Sequence, residues 1–164
     1  MGRSIAADLV KGAIAGAVAT YAMDALTRFL YEHESEEARE EEEEARGGAT
    51  AYEVAAERGA EAVGAELTKK QRRRAGTGLH WGLGVGAGAV YGVIRTRVPF
   101  VGEAEGVGFG STFFLLIDEG VVPLLGLTPG PAAFPWQTHV RGLAGHVVFG
   151  MVADATLRAL DRVT

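Results

Sequence analysis

Four segments almost free of charge, each near the length of a bilayer-crossing helix, constrain this 164-residue chain more than any other feature. They run over 4–31, 76–94, 107–125 and 138–160. The second and third show no polar face at helical period, which a soluble helix of this size requires. Lipid offers no partner to an exposed backbone group, and the segments are too long and too rich in glycine for barrel strands. The expected fold is therefore all-α, a four-helix transmembrane bundle with a single membrane domain over 1–164. The first segment runs through Asp24 into Phe29, Leu30 and Tyr31 without a small-residue cleavage site, so it reads as a retained helix and not a signal peptide.

The mean hydropathy of +0.11 conceals a division, because most of the charge lies between the first two segments, over 32–75. This is read as a charged loop holding one short amphipathic helix at about Ala49 to Leu67. The glutamate run before that helix repels itself, so a solvated helix extension or a disordered loop is expected, with a cation-binding or docking tail as the functional alternative. Lys69, Lys70, Arg72, Arg73 and Arg74 stand directly before an apolar segment, as an interface anchor does. Nucleic acid is not an expected partner, since the rest of the loop is acidic. The lipid bilayer is, together with a second copy or other membrane subunits.

The chain has no cysteine, which excludes disulfides, thiolate nucleophiles and cysteine metal sites. Its 24 glycines are roughly double the usual share of about 7%. In a soluble helix each would cost up to about 1 kcal/mol. In lipid, small residues four apart let helix backbones approach, and that spacing recurs in Gly12 with Gly16, in Gly84, Gly88 and Gly92, and in Gly106 with Gly110, while Gly142 and Gly150 lie eight apart. The alternation Gly82, Gly84, Gly86, Gly88 lacks the preceding strand and following Lys-Ser/Thr of a phosphate loop. Tyr21, Tyr31, Trp81, Tyr91, Phe100 and Trp136 fall near segment ends, as an interfacial aromatic belt does.

Ionisable residues inside spanning helices mark functional-site candidates. Tracing the four segments back and forth puts Asp24, His80, Asp118, Glu119 and His146 in one layer, with Asp154 two turns deeper than His146 on the same face. Adjacent Asp118 and Glu119 lie about 100° apart on an α-helix, so only one is expected to face the centre. Such a layer can bind or pass protons or ions, hold a transition metal or haem, or supply structural hydrogen bonds. No cofactor is assigned on this evidence, and no Glu-x-x-His pair suggests a di-iron site. Ser111 and Thr112 lie away from the histidines, so no catalytic residue and no enzymatic activity is assigned.

The segment GLHWGLGVGAGAVYG, then VVPLLGLTPGP after the Asp-Glu step, then AAFPW and RGLAGHVVFG, resemble in order and spacing the YagU-like family of bacterial inner membrane proteins. The resemblance covers about Gly76 to Leu160. It implies a multi-pass inner membrane protein linked to acid resistance, with no established biochemical activity, and it points to His80, Trp81, Tyr91, Pro123, Gly126, Leu127, Thr128, Pro129, Pro135, Trp136, Gly145 and His146. The Asp118-Glu119 pair and the glutamate run do not belong to that match. Physically, Pro123, Pro129, Pro131 and Pro135 forbid continuous helix, so the connection, with Thr128, Pro129, Pro135 and Trp136, is expected to lie as a lid over the ionisable layer. Basic residues pull the orientation both ways and favour termini inside by a small margin. Proton or ion binding is thus the leading expectation. An accessory or assembly subunit is the alternative, and haem or metal binding the third.

Overall fold

The computed structural model describes residues 4–98, 101 and 104–163. Among them there is no strand. The helices are α1 (Ile5–Glu32), α2 (Glu36–Arg46), α3 (Ala51–Ala62), α4 (Lys69–Ile94), α5 (Val107–Leu116), α6 (Val122–Leu124) and α7 (Trp136–Val163). A π-helical turn, Ile117–Val121, joins α5 to α6, and a 3-10 turn, Pro131–Ala133, precedes α7.

Among the described residues, three stretches are long and apolar enough to cross a membrane: Ile5–Glu32, Val107–Leu124 and Trp136–Val163. The expectation of four is corrected by α4. Absence of charge is not apolarity, and seven of the nineteen residues from Gly76 to Ile94 are glycine, which adds little hydropathy. Nor does this helix begin at Gly76. Thr68 caps it in a reciprocal capping box with Gln71, so the basic cluster forms its first turns. The acidic loop is likewise more ordered than expected, since Ser35 caps the glutamate run as α2 and Thr50 caps α3 in a second capping box with Glu53.

The helices pack small side in and large side out. The buried stripe of α1 is Asp8, Gly12, Ala15, Gly16, Ala19, Thr20 and Met23, whereas Leu9, Val10, Ile14, Val18 and Tyr21 are exposed. That is the reverse of a soluble helix, and it suits lipid, where close backbone approach replaces the hydrophobic drive between helices. Antiparallel α1 and α4 touch through glycine. A Cβ at Gly16 would lie 2.5 Å from the Gly84 carbonyl, and one at Gly92 the same distance from the Asp8 carbonyl. Antiparallel α5 and α7 meet in the same way, Gly106 against Gly150 and Gly110 against the His146 carbonyl. Gly142 admits the Phe114 ring, and Gly145 receives Met23 and Thr27 of α1.

Aromatic rings close the bundle where backbones do not. Tyr91 of α4 stacks on Phe109 of α5 at 4.6 Å between centroids, and Phe113 lies 5.8 Å from Phe149 of α7. Tyr91 is 0% exposed, so it belongs to the core and not to an interfacial belt. Tyr21 and Trp136 do project outward, and Phe100 lies outside the described residues.

The π turn has a local cause. Pro123 offers no N–H to the carbonyl of Glu119, and in an α-helix its ring would strike that oxygen. Widening the preceding turn removes the clash and re-aims the side chains within it.

Candidate functional site

At the end of the bundle far from the chain termini the helices part around a cavity of about 770 Å³. Asp24 of α1, Tyr52 of α3, His80 of α4, Asp118 and Glu119 of the π turn, and His139 and His146 of α7 all line it. Five of the six ionisable residues singled out in the sequence therefore share one wall. The widened turn brings both Asp118 and Glu119 to the cavity, so the expectation that only one would face inward is corrected.

Each carboxylate faces a histidine, and the three pairs differ in their need for protons. His80 Nε2 donates to Asp24 Oδ1 at 2.8 Å, which a neutral ring satisfies. His146 is different. Its Nδ1 lies 2.9 Å from the Gly142 carbonyl, which can only accept, so the ring proton sits there and Nε2 of a neutral ring is bare. That bare nitrogen is turned toward Asp118 Oδ2 at 3.7 Å, so two acceptors face each other until a further proton arrives. At His139, Nδ1 lies 2.6 Å from Glu119 Oε1 and Nε2 lies 3.1 Å from the Pro131 carbonyl. Both nitrogens address oxygens that accept, and the arrangement is complete only when the ring and its carboxylate hold two protons between them.

The surroundings fix these rings. His146 sits between Phe113 at 5.3 Å and Phe114 at 5.5 Å, and Tyr52 meets His80 edge-on at 5.0 Å. Burial, with Asp118 and Asp24 nearby, pushes the Tyr52 phenol above its ordinary range, so it remains a neutral hydroxyl on the wall.

The mouth is built by residues that the sequence did not single out. Arg141 of α7 is held by Glu34 and by Glu42 of α2, and its guanidinium lies 5.0 Å from the Tyr31 ring. Glu42 is 1% exposed and also takes Arg46 and the Thr138 hydroxyl, the latter at 3.0 Å. So α2 is not a purely solvated extension: one of its glutamates docks it on α7. The proline connection is pinned by Arg58 of α3, which donates to the Leu125 and Gly126 carbonyls at 2.7 and 2.8 Å and so satisfies carbonyls at the end of α6. Thr128, Pro129, Pro131 and Phe134 line the cavity. Pro135 and Trp136 do not, and Trp136 is 68% exposed, so the lid is shorter than expected.

Asp154 lies apart from this group. It is 2% exposed and receives Tyr91 at 3.0 Å, Arg95 at 3.2 Å and Arg158. Arg95 also reaches Asp161, which pairs with Lys11 at 3.0 Å, and Arg97 meets Asp8 at 2.8 Å. At the terminal end each carboxylate thus has at least one permanently charged partner, with the Tyr91 hydroxyl as a further, neutral donor to Asp154. Among the described residues, no three His or carboxylate groups come together as a metal site requires.

Residues 59–155, more than half of the chain, match the family described as Protein of unknown function (DUF1440). No curated protein matches the chain, and no solved structure does. The matched stretch carries His80, Asp118, Glu119, His139 and His146, while Asp24 and the docking helix α2 precede it. The chain belongs to the DUF1440 family, whose members are grouped without an assigned activity.

Proposed function

We propose that this chain is an integral protein of the bacterial inner membrane whose cavity binds protons on histidine–carboxylate pairs and so couples the protein to acid pH. The observation that carries this is the placing of the ring nitrogens of His139 and His146: each has one nitrogen on a backbone carbonyl and the other turned to a carboxylate, 2.6 Å from Glu119 and 3.7 Å from Asp118, so each pair has room for one proton more than a neutral imidazole beside a carboxylate supplies. Histidine changes charge between about pH 5 and 8. Three apolar helices and an outward-facing apolar surface support a membrane setting. The resemblance to the YagU-like family supports the inner membrane and the link to acid resistance.

Groups facing the pairs come from every element around them: Asp24 and Arg28 from α1, Arg46 from α2, Tyr52 from α3, His80 from α4, and Arg141 from α7. A guanidinium group is permanently charged and the Tyr52 phenol stays neutral, so the proton-binding capacity rests on the pairs. Acid survival of cells that depend on this protein tests the reading. His146→Ala and Glu119→Gln, each at wild-type abundance and monodisperse in detergent, are expected to lose protection. His33→Ala, an exposed histidine outside the cavity, is expected to retain it. Full protection from both cavity variants would overturn the proposal.

A further inference from the structure

We propose that the same cavity binds a compact organic cation, an amine or quaternary ammonium with an apolar body, and exchanges it for protons. This rests on the proton-binding reading above and names the ligand that the protons displace. The volume of about 770 Å³ falls within the range of small-molecule sites.

The charge on the walls selects the ligand's sign. Asp24, Asp118 and Glu119 reach the cavity from α1 and the π turn, and among the described residues no lysine or arginine pairs with any of them. Their only basic partners are His80, His146 and His139, from α4 and α7, which are uncharged once deprotonated. The arginines at the mouth do not offset this. Arg141 and Arg46 are taken by Glu42 and Glu34, and Arg28 lies exposed at the edge. With neutral histidines the cavity therefore holds carboxylates in excess of permanent positive charge.

The remaining wall suits the body of such a ligand. Phe114, Phe134 and the neutral Tyr52 present aromatic surface beside the carboxylates, the combination that attracts an alkylated ammonium by ring quadrupole and charge together. Protonating the histidines turns each pair into an internal ion pair, fills the carboxylates and removes the attraction. Cation and protons thus compete for one set of oxygens.

Calorimetric titration of the detergent-purified full chain with benzyltrimethylammonium tests this. Saturable binding is expected at about pH 8, weakened about tenfold or more at about pH 5 and in Asp118→Asn. The uncharged isostere neopentylbenzene and the anion benzoate are expected not to bind. Absence of saturable binding at the higher pH, equal binding at both pH values, or equal binding of neopentylbenzene overturns the proposal, and none of these depends on a variant that has to fold. The acid-survival assay needs no added ligand. Failure here while protection still depends on His146 overturns the cation site alone and leaves the proton role standing.

Discussion

The two ends of the bundle solve one problem with different chemistry. Each buries carboxylates among apolar helices, where an unpaired charge is expensive. At the terminal end Asp8, Asp154 and Asp161 are matched by Arg97, Arg95, Arg158 and Lys11, side chains that stay charged at any physiological pH. At the cavity end Asp24, Asp118 and Glu119 are matched by histidines, which do not. Near the terminal end the core is filled by the Tyr91–Phe109 stack, while at the other end the helices part around the cavity. On the proposed reading, the permanent pairs fix the helices, and the titratable ones stand where their state can change.

The largest expected effect breaks the permanent end. Asp154→Asn removes the charge that holds Arg158 and leaves Arg95 with Asp161 alone, while the amide oxygen still accepts from Tyr91, so chemical unfolding in detergent is expected to show a loss of about 2–3 kcal/mol; a loss below about 1 kcal/mol would mean this end does not hold the fold. Next, Arg95→His transplants the cavity's chemistry to the terminal end. A histidine there is charged and paired at low pH, so its stabilisation is present in acid and disappears as pH rises through the histidine range. Unfolding at about pH 5 and 8 should then differ by about 1–3 kcal/mol in the variant. Insensitivity to pH would show that segregation of partners carries no meaning.

Smaller effects test the mouth and the shared scaffold. Glu42→Gln keeps a hydrogen-bonding group but removes the charge that holds Arg141 and Arg46, so α2 should lose about 1 kcal/mol of local protection in hydrogen exchange. The exposed neighbour change Glu41→Gln is expected to leave it unaltered. Smallest of all, Gly86→Ala should gain about 0.5–1 kcal/mol of stability, because nothing stands within 4 Å of its Cβ position. Gly88→Ala should lose stability, as its Cβ would meet the backbone of Gly12 and Gly16.

How much of this was legible follows from what each residue announces. A charge in an apolar segment specifies its own depth, so the layer of Asp24, His80, Asp118, Glu119 and His146 could be traced by following the segments back and forth. His139 and Arg141 sit at the start of the last segment and could have been read by the same rule, since an arginine there must find a partner. Glu42 could not. In the run EEAREEEEEAR every glutamate looks alike, and the only hint is Ala38, one turn earlier, which is buried with it. The number of apolar spans was misjudged because glycine is uncharged without being hydrophobic. The inward turn of both acids was hidden by assuming α-helical spacing across a segment that Pro123 does not allow to be α-helical.

That π turn amounts to a one-residue insertion in an otherwise regular helix, absorbed locally by the wider turn. Deleting a single residue within 117–121 would press the Pro123 ring against the carbonyl four residues before it, so the helix would have to kink or break there. The connection that carries Thr128, Pro129 and Phe134, and the carbonyls that Arg58 grips, would be re-aimed from that kink. Roof and floor of the cavity are thus joined through one turn of helix, which carries Asp118 and Glu119 and aims the connection that follows.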